Sequence, residues 1–318
     1  MRIAFDMAAF LWTGLLAGKD KENGYEVQHD DKTVYVNSAQ HGYDNAMGMM
    51  DKVMRQFRLT PHQCILVFEG LHSKKRRQAI DPIYKANRDS RPPQAYEEYQ
   101  KAIAMVERQW LDVGAISMRQ PFVEGDDVLA WLALHSEDDI VIATYDNDMS
   151  AAVGTNPQGK RVQVWVNDRV NENKYGDFAF HLITLYKALV GDINDNIKGC
   201  KGFGKTSWEV FRGTYGDEGL QTVYDRLKAG ALGDLHAQAE EDKLIRLLCE
   251  QEAHVIRQFQ LAQLHPEWVN TRSTVLEINA GMCKPLGPLT DHRLEPYAGY
   301  SRLVTAKTWA DCRTFFLK

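Results

Sequence analysis

Five short apolar runs, separated by stretches of helical spacing, constrain this chain more than any other feature. The runs are Ile3–Phe5, Thr33–Val36, Cys64–Phe68, Asp139–Ala143 and Val162–Val166. Each is too short for a buried helix and apolar enough to be covered on both faces. The helical segments are Ala46–Phe57, Tyr96–Leu111 and Asp126–Leu134. Alternation of this kind predicts an α/β lobe with a covered, largely parallel sheet. Beyond residue 175 the strand signal fades. Phe178–Val190 and Ala237–Leu264 read as helices, the second with Leu244/Leu248 and Val255/Phe259 at i, i+4. A boundary is expected within 168–178, where Asn, Asp, Lys and Gly cluster, dividing the chain into lobes 1–172 and 173–318.

Acids stand where these runs end. Asp6 closes the first, Glu69 follows the third, and Asp146 and Asp148 follow the fourth. Ligands of open parallel sheets bind beyond the carboxyl ends of the strands, so three strands deliver acids to one edge. Glu124-Gly125-Asp126-Asp127 opens an apolar helix, and Asp192 and Asp195 follow another. One such acid is ordinarily a turn former or helix cap. Five acidic stations on one edge repel each other and call for cations. All-oxygen ligands favour Mg²⁺ or Mn²⁺. A pair of ions about 4 Å apart would stabilise both the attacking and the leaving oxygen of a phosphate displacement. The five cysteines, Cys64, Cys200, Cys249, Cys283 and Cys312, are scattered without a C-x-x-C pair, against a zinc site or disulfide framework.

The net charge of −5 excludes a basic nucleic-acid binder in bulk, so any footprint is local. Residues 71–91 supply one. Lys74, Lys75, Arg76, Arg77, Lys85, Arg88 and Arg91 stand against Asp81 and Asp89, a local balance of +5. The plain reading is a solvated loop. The sharper reading is a phosphate grip by Lys74, Arg77, Lys85 and Arg88, with Tyr84 stacking on a base. No stretch of about 18 apolar residues is present, so no membrane span is expected, and a cytoplasmic setting fits the scattered cysteines.

Gly199-Cys200-Lys201-Gly202-Phe203-Gly204-Lys205-Thr206 fits the pattern of a nucleotide-binding P-loop. A P-loop follows a buried strand, and the polar residues 191–198 are not one. The same glycines suit a turn between helices whose N–H groups, with Lys205 and Thr206, hold a duplex phosphate.

In order, these segments resemble the flap endonuclease/5′→3′ exonuclease family over roughly residues 1–210. Asp6, Phe68-Glu69-Gly70, Arg77 with Tyr84-Lys85-Ala86-Asn87-Arg88, Glu124-Gly125-Asp126-Asp127, Thr144-Tyr145-Asp146-Asn147-Asp148 and Gly191-Asp192-Ile193-Asn194-Asp195-Asn196-Ile197-Lys198-Gly199 follow its motifs. Glu69 stands where the family pattern has Asp, and the glycine hairpin is one residue shorter than the commonest form. The compact length looks most like exonucleases of podovirus-type bacteriophages.

The resemblance implies a PIN-like parallel-sheet nuclease lobe and a C-terminal helical lobe. It also implies a basic arch within 71–100 and a helix–three-turn–helix near 185–215. Further implied are two Mg²⁺ or Mn²⁺ ions held by Asp6, Glu69, Glu124, Asp126, Asp127, Asp146, Asp148, Asp192 and Asp195. Lys74, Arg77 and Lys85 would act at the cleaved strand. Tyr84, Arg88, Gly202, Gly204, Lys205 and Thr206 would bind DNA. The implied activity is 5′→3′ cleavage of DNA, with flap and RNA–DNA hybrid cleavage in its range. The chain would act as a monomer on duplexes with a 5′ end or flap, in phage replication or recombination in the host cytoplasm. The competing classes are a DNA-binding protein without turnover and a P-loop ATPase.

Overall fold

A computed structural model describes residues 1–88, 91–270, 277–280, 291 and 293–294. Cys283 and Cys312 lie outside them. In chain order the elements begin β1 (Arg2–Asp6), α1 (Met7–Leu16), β2 (Tyr25–His29), β3 (Lys32–Val36), α2 (Ala39–Phe57) and β4 (Cys64–Val67). They continue α3 (Lys75–Ile80), α4 (Pro93–Trp110), β5 (Ile116–Arg119), α5 (Gly125–His135), β6 (Ile140–Thr144), β7 (Gly154–Thr155), β8 (Arg161–Val166) and β9 (Arg169–Val170). The later elements are α6 (Ile183–Val190), α7 (Lys205–Ala229), α8 (Leu235–Gln238), α9 (Lys243–Glu250), α10 (Glu252–Ala262) and β10 (Glu277–Ala280).

The sheet order is β10-β5-β4-β1-β6-β8-β7, with β9 paired to β8. Strands β5, β4, β1, β6 and β8 run parallel. Strands β4 and β6 are buried throughout, because helices cover both faces. Alternate residues serve opposite faces. Phe5 and Leu66 join Phe10, Met47, Val106 and Trp110 beneath α1, α2 and α4. Ala4, Ile65 and Ile142 join Leu129 and Leu132 beneath α5. A separate core in the helical part contains Leu185, Trp208, Phe211, Leu248 and Phe259.

The run Thr33–Val36 departs from expectation. It pairs antiparallel with β2 in a two-stranded hairpin, outside the parallel sheet. Asp30 and Asp31 turn the chain with φ of 47° and 58°, the positive pair that a two-residue hairpin turn favours. The fifth parallel strand is instead β5, whose Ser117 and Arg119 masked it in the sequence. The expected helix Ala237–Leu264 is also broken. Gln251, at φ −117° and ψ 20°, separates α9 from α10. Helix α6 begins at Ile183, after a short 3-10 turn at Phe180–Leu182.

Candidate metal centre and nucleic-acid interface

The parallel strands end together, and that edge collects the acids. Asp6, the last residue of β1, caps α1 by accepting from the Ala9 amide at 3.0 Å. Its other oxygen accepts from the Thr144 hydroxyl at 2.7 Å, which ties β1 to the end of β6. Thr144 accepts in turn from the Asp146 amide at 3.0 Å, and Asp146 from the Asp148 amide at 2.9 Å. The motif Thr144-Tyr145-Asp146-Asn147-Asp148 is thus a self-bonded turn that aims carboxylates along one edge.

Charge is crowded here. Burial, then the neighbouring Asp146 and Asp6, push the Asp126 carboxyl well above the usual carboxylate range. Burial and Asp148 push Asp146 up to about 7. Desolvation at the crowded edge and the neighbouring Glu124 push Glu69, whose side chain still reaches solvent, up to about 7. Burial raises Asp6 as well. The Asp126 carboxylate accepts no hydrogen bond from the described residues. Carboxylates crowded this way are short of counter-charge, since Lys85 and Lys187 offset them only in part, and an all-oxygen set of this kind fits a hard divalent cation. A second group lies alongside: Asp148, Asp192 and Asp195 can each offer one oxygen within 4.8 Å of the others.

Two internal cations stand among these acids. Lys85 Nζ donates to Glu124 at 2.7 Å and lies 3.9 Å from Asp195. Lys187, on α6, contacts Asp148 and lies 2.6 Å from Asp192 and 3.9 Å from Asp195, with its side chain 3% exposed. Tyr175 also donates to Asp148, at 2.5 Å. Sequence reasoning missed Lys187 and Tyr175. A single Lys within an apolar helix carries no motif; its one signal is its place four residues before the Gly191-Asp192 turn.

The arch segment departs from the reading that all its cations face a strand. Arg77 is 4% exposed and Tyr84 2%. Arg77 donates to both oxygens of Asp127 at 2.8 Å and to Glu124 at 2.5 Å, and Tyr84 donates to Glu124 at 3.2 Å. Burial alone would raise Glu124, but Lys85 and Arg77 outweigh it and hold the carboxyl at about 2. Arg77 and Tyr84 therefore brace the acidic edge from inside, and the Tyr84 ring has no face free for a base. Lys74, Lys75 and Arg88 are exposed. Arg88 donates to Asp195 at 2.6 Å, and the Lys85 amide to the Asp195 carbonyl at 3.0 Å, so the arch rests on the loop after α6.

That loop leads to the glycine hairpin. Asp192 and Ile197 exchange 2.8 Å backbone bonds, and α6 precedes them where a P-loop would need a strand. The P-loop reading fails on that geometry. Gly199, at φ 69°, has no room for a side chain: a Cβ would meet the Leu189 carbonyl and Gly191 amide at 2.7 Å. Gly202 sits at φ 89°. Gly204 caps α7 at φ −97° with open space around it, so its backbone does not require glycine. Lys205 and Thr206 are exposed at the start of α7.

A parallel sheet with buried acids at its carboxyl edge, beside a glycine-turn helix pair, defines the PIN-like, resolvase-type class of fold. Residues 30–179 match the family described as 5′-3′ exonuclease, N-terminal resolvase-like domain. The thermostable DNA polymerase I of Thermus thermophilus is 29% identical over 196 residues, 58% of this chain and 22% of that protein. A 5′-3′ exonuclease of Halalkalibacterium halodurans is 27% identical over 161 residues, 48% of this chain and 50% of that protein. The chain thus matches half or less of the length of these relatives. In fold it is similar to the bacteriophage T5 5′-exonuclease with bound zinc (TM-score 0.56, 16% identity, covering 84% of this chain and 90% of that one). It is equally similar to the T5 flap endonuclease complexed with DNA and metal ions (TM-score 0.56, 17% identity, 84% and 89% covered). Residues 30–179 thus carry the 5′-3′ exonuclease N-terminal, resolvase-like domain, and the fold is that of the T5 5′-exonuclease structures. No helix among the described residues is long and apolar enough to cross a membrane.

Proposed function

We propose that the chain hydrolyses phosphodiester bonds at DNA 5′ ends, as a 5′→3′ exonuclease with flap cleavage in its range, using two Mg²⁺ or Mn²⁺ ions. The observation that carries this reading is the crowded, under-neutralised acidic edge of buried Asp6 and half-buried Asp126 and Asp146. Asp6, Glu69, Asp126 and Asp146 would hold one ion, and Asp148, Asp192 and Asp195 the other. When bound, such ions supply counter-charge to the phosphate oxygens and acidify water. The chain's own residues do the rest. Arg77 fixes Glu124 and Asp127, so Lys85 is held with its charge at the edge. Thr144 orients Asp6 and Asp146. Lys74 and Arg88 meet the backbone of the cleaved strand. The hairpin from Gly199 to Thr206 would hold a duplex phosphate through backbone N–H groups and Lys205. RNA–DNA hybrids fall within the same chemistry, and we place the protein in the cytoplasm of a phage-infected cell as a monomer.

The test is incubation of the protein with 5′-labelled duplex and flap substrates in Mg²⁺, in EDTA and with ATP. Release of short 5′ products that needs the cation and ignores ATP is the expected result. Binding without cleavage in Mg²⁺ and Mn²⁺ would leave a non-catalytic DNA-binding protein.

A further inference from the structure

Gln120, Pro121, Phe122 and Val123 form a tight turn. The Val123 amide donates to the Gln120 carbonyl at 3.3 Å. Pro121 takes the second position and Phe122 the third, with φ +62°. That third position, at positive φ after Pro, is one that Gly or Asn fills in such turns. A bulky residue there is a strained outlier. Burial does not compensate, since Phe122 is 43% exposed.

The turn is locked to its neighbour. The Phe122 amide donates to the Leu71 carbonyl at 2.8 Å. Gly70 lies so close beneath that a Cβ there would stand 1.7 Å from the Gln120 carbonyl oxygen. His72 also has positive φ, +56°, and its exposed ring lies 5.8 Å from that of Phe122 at 31°. Leu71 beside it is 68% exposed. Two residues at positive φ, Phe122 strained there, thus present two rings to solvent on a hydrogen-bonded base. Backbone strain that the fold maintains without burying the side chain points to use of the side chain.

Location narrows the use. Glu69 immediately precedes one loop and Glu124 immediately follows the other, so the rings stand at the margin of the acidic edge. Lys74 and Lys75 are exposed two and three residues beyond His72. Lys74 is within electrostatic reach of Glu69 and Glu124. Exposed rings beside flexible cations match single-stranded nucleic acid, whose bases stack while its phosphates are neutralised. We propose that Phe122 and His72 form a stacking platform for an unpaired base of the 5′ strand, next to the acidic edge, with Lys74 and Lys75 on its phosphates. This rests on the nuclease reading above.

The test measures binding of the full chain, in EDTA, to a blunt duplex, a duplex with a 5′ thymine tail, and one with an abasic tail. Variants are Phe122→Gly and Phe122→Trp. The tail also carries 2-aminopurine to report stacking. Phe122→Gly relieves the positive φ, so its melting temperature should hold or rise. Its affinity for the thymine-tailed duplex should fall about tenfold, in line with the loss of one base–aromatic stack. Blunt-duplex affinity should stay unchanged, and the 2-aminopurine quenching should disappear. Phe122→Trp should keep the tail preference, and the abasic tail should abolish it in every protein with an aromatic at 122. Equal binding of thymine and abasic tails by the wild type would overturn the platform, as would unchanged tail affinity in Phe122→Gly. Loss of blunt-duplex and tailed binding together in a folded Phe122→Gly would overturn it too, by placing the residue on the duplex path. Metal-dependent cleavage with no tail effect would sink the platform alone, whereas a wild type that neither cleaves nor prefers DNA would sink the nuclease reading with it.

Discussion

The Lys187 ammonium stands 2.6 Å from Asp192 and 3.9 Å from Asp195, in contact also with Asp148, inside the group of carboxylates that could hold a cation. An internal cation here substitutes for part of the charge a divalent ion would bring. Lys187→Met should therefore make the fold depend on metal. Removing one member of a buried ion network costs about 3–5 kcal/mol. Much of that should return when Mg²⁺ or Mn²⁺ is added. Thermal denaturation in EDTA and in Mg²⁺ checks this. Equal melting of mutant and wild type in EDTA would show that Lys187 carries no counter-charge role.

Asp126→Asn acts in the opposite sense. The Asp126 carboxyl is pushed well up by burial, Asp146 and Asp6, and it accepts no hydrogen bond from the described residues. Removing its charge lowers repulsion, so metal-free stability should rise while cleavage falls. If the residue helps to hold an ion worth several kcal/mol at the transition state, the rate should drop about a hundredfold or more. A stability rise with full turnover would mean that Asp126 contributes repulsion without function.

How much of this was legible follows from what sequence encodes. Asp6, Glu69 and Asp146 could be read because each ends an apolar run, and strand direction then fixes the edge they share. The mutual placement of charges could not be read. Arg77 looked like a free cation of a basic stretch, yet its partners Glu124 and Asp127 lie 47 and 50 residues away. Thr33–Val36 looked like a sheet strand because four apolar or β-branched residues do not specify which strand they pair with. Lys187 had no periodicity or motif to announce it.

The pH dependence of the metal-free protein should be unusual. Glu69 and Asp146 rise to about 7 from 4.5 and 3.8. A raised carboxyl is protonated more readily in the fold than in the unfolded chain. Its contribution is therefore fully present below the unfolded value and is lost as pH climbs towards the folded one. Glu124, held at about 2, works conversely: its contribution is present above 4.5 and is lost as pH falls towards 2. Melting temperature in EDTA should thus decline between about pH 4 and pH 7. Mg²⁺ should flatten the decline by stabilising the ionised carboxylates. A profile that rises across this range in EDTA would contradict the crowding of the acids.

Arg77 and Arg88 should separate by phenotype. Arg77→Ala leaves Glu124 and Asp127 buried without their guanidinium, so it should cost about 3–5 kcal/mol in stability. Arg88 has a side chain 46% exposed, and its Ala variant should fold normally. If Arg88 meets a phosphate, its loss should shallow the salt dependence of DNA binding by about 0.7–0.9 per contact. A well-folded Arg77→Ala with only a changed salt slope would restore the view that Arg77 faces the strand.

The glycine hairpin distinguishes fold from grip within five residues. Gly199→Ala should destabilise the protein, because φ of 69° is unfavourable for alanine and the new Cβ would meet backbone atoms at 2.7 Å. Gly204 has φ −97° and no neighbour within 4 Å of a built Cβ. Gly204→Val should therefore leave the melting temperature nearly unchanged. If a duplex phosphate approaches the start of α7, the branched side chain would stand in its way, and duplex affinity should fall while short single strands bind as before. Lys205→Ala should weaken duplex binding modestly, as loss of one point charge does. Neither variant should alter nucleotide binding, because α6 and a turn stand where a P-loop needs a strand. Calorimetry with ATP and Mg²⁺ should register no specific heat. Tight ATP binding that vanishes in Lys205→Ala would overturn the duplex-grip assignment of this hairpin.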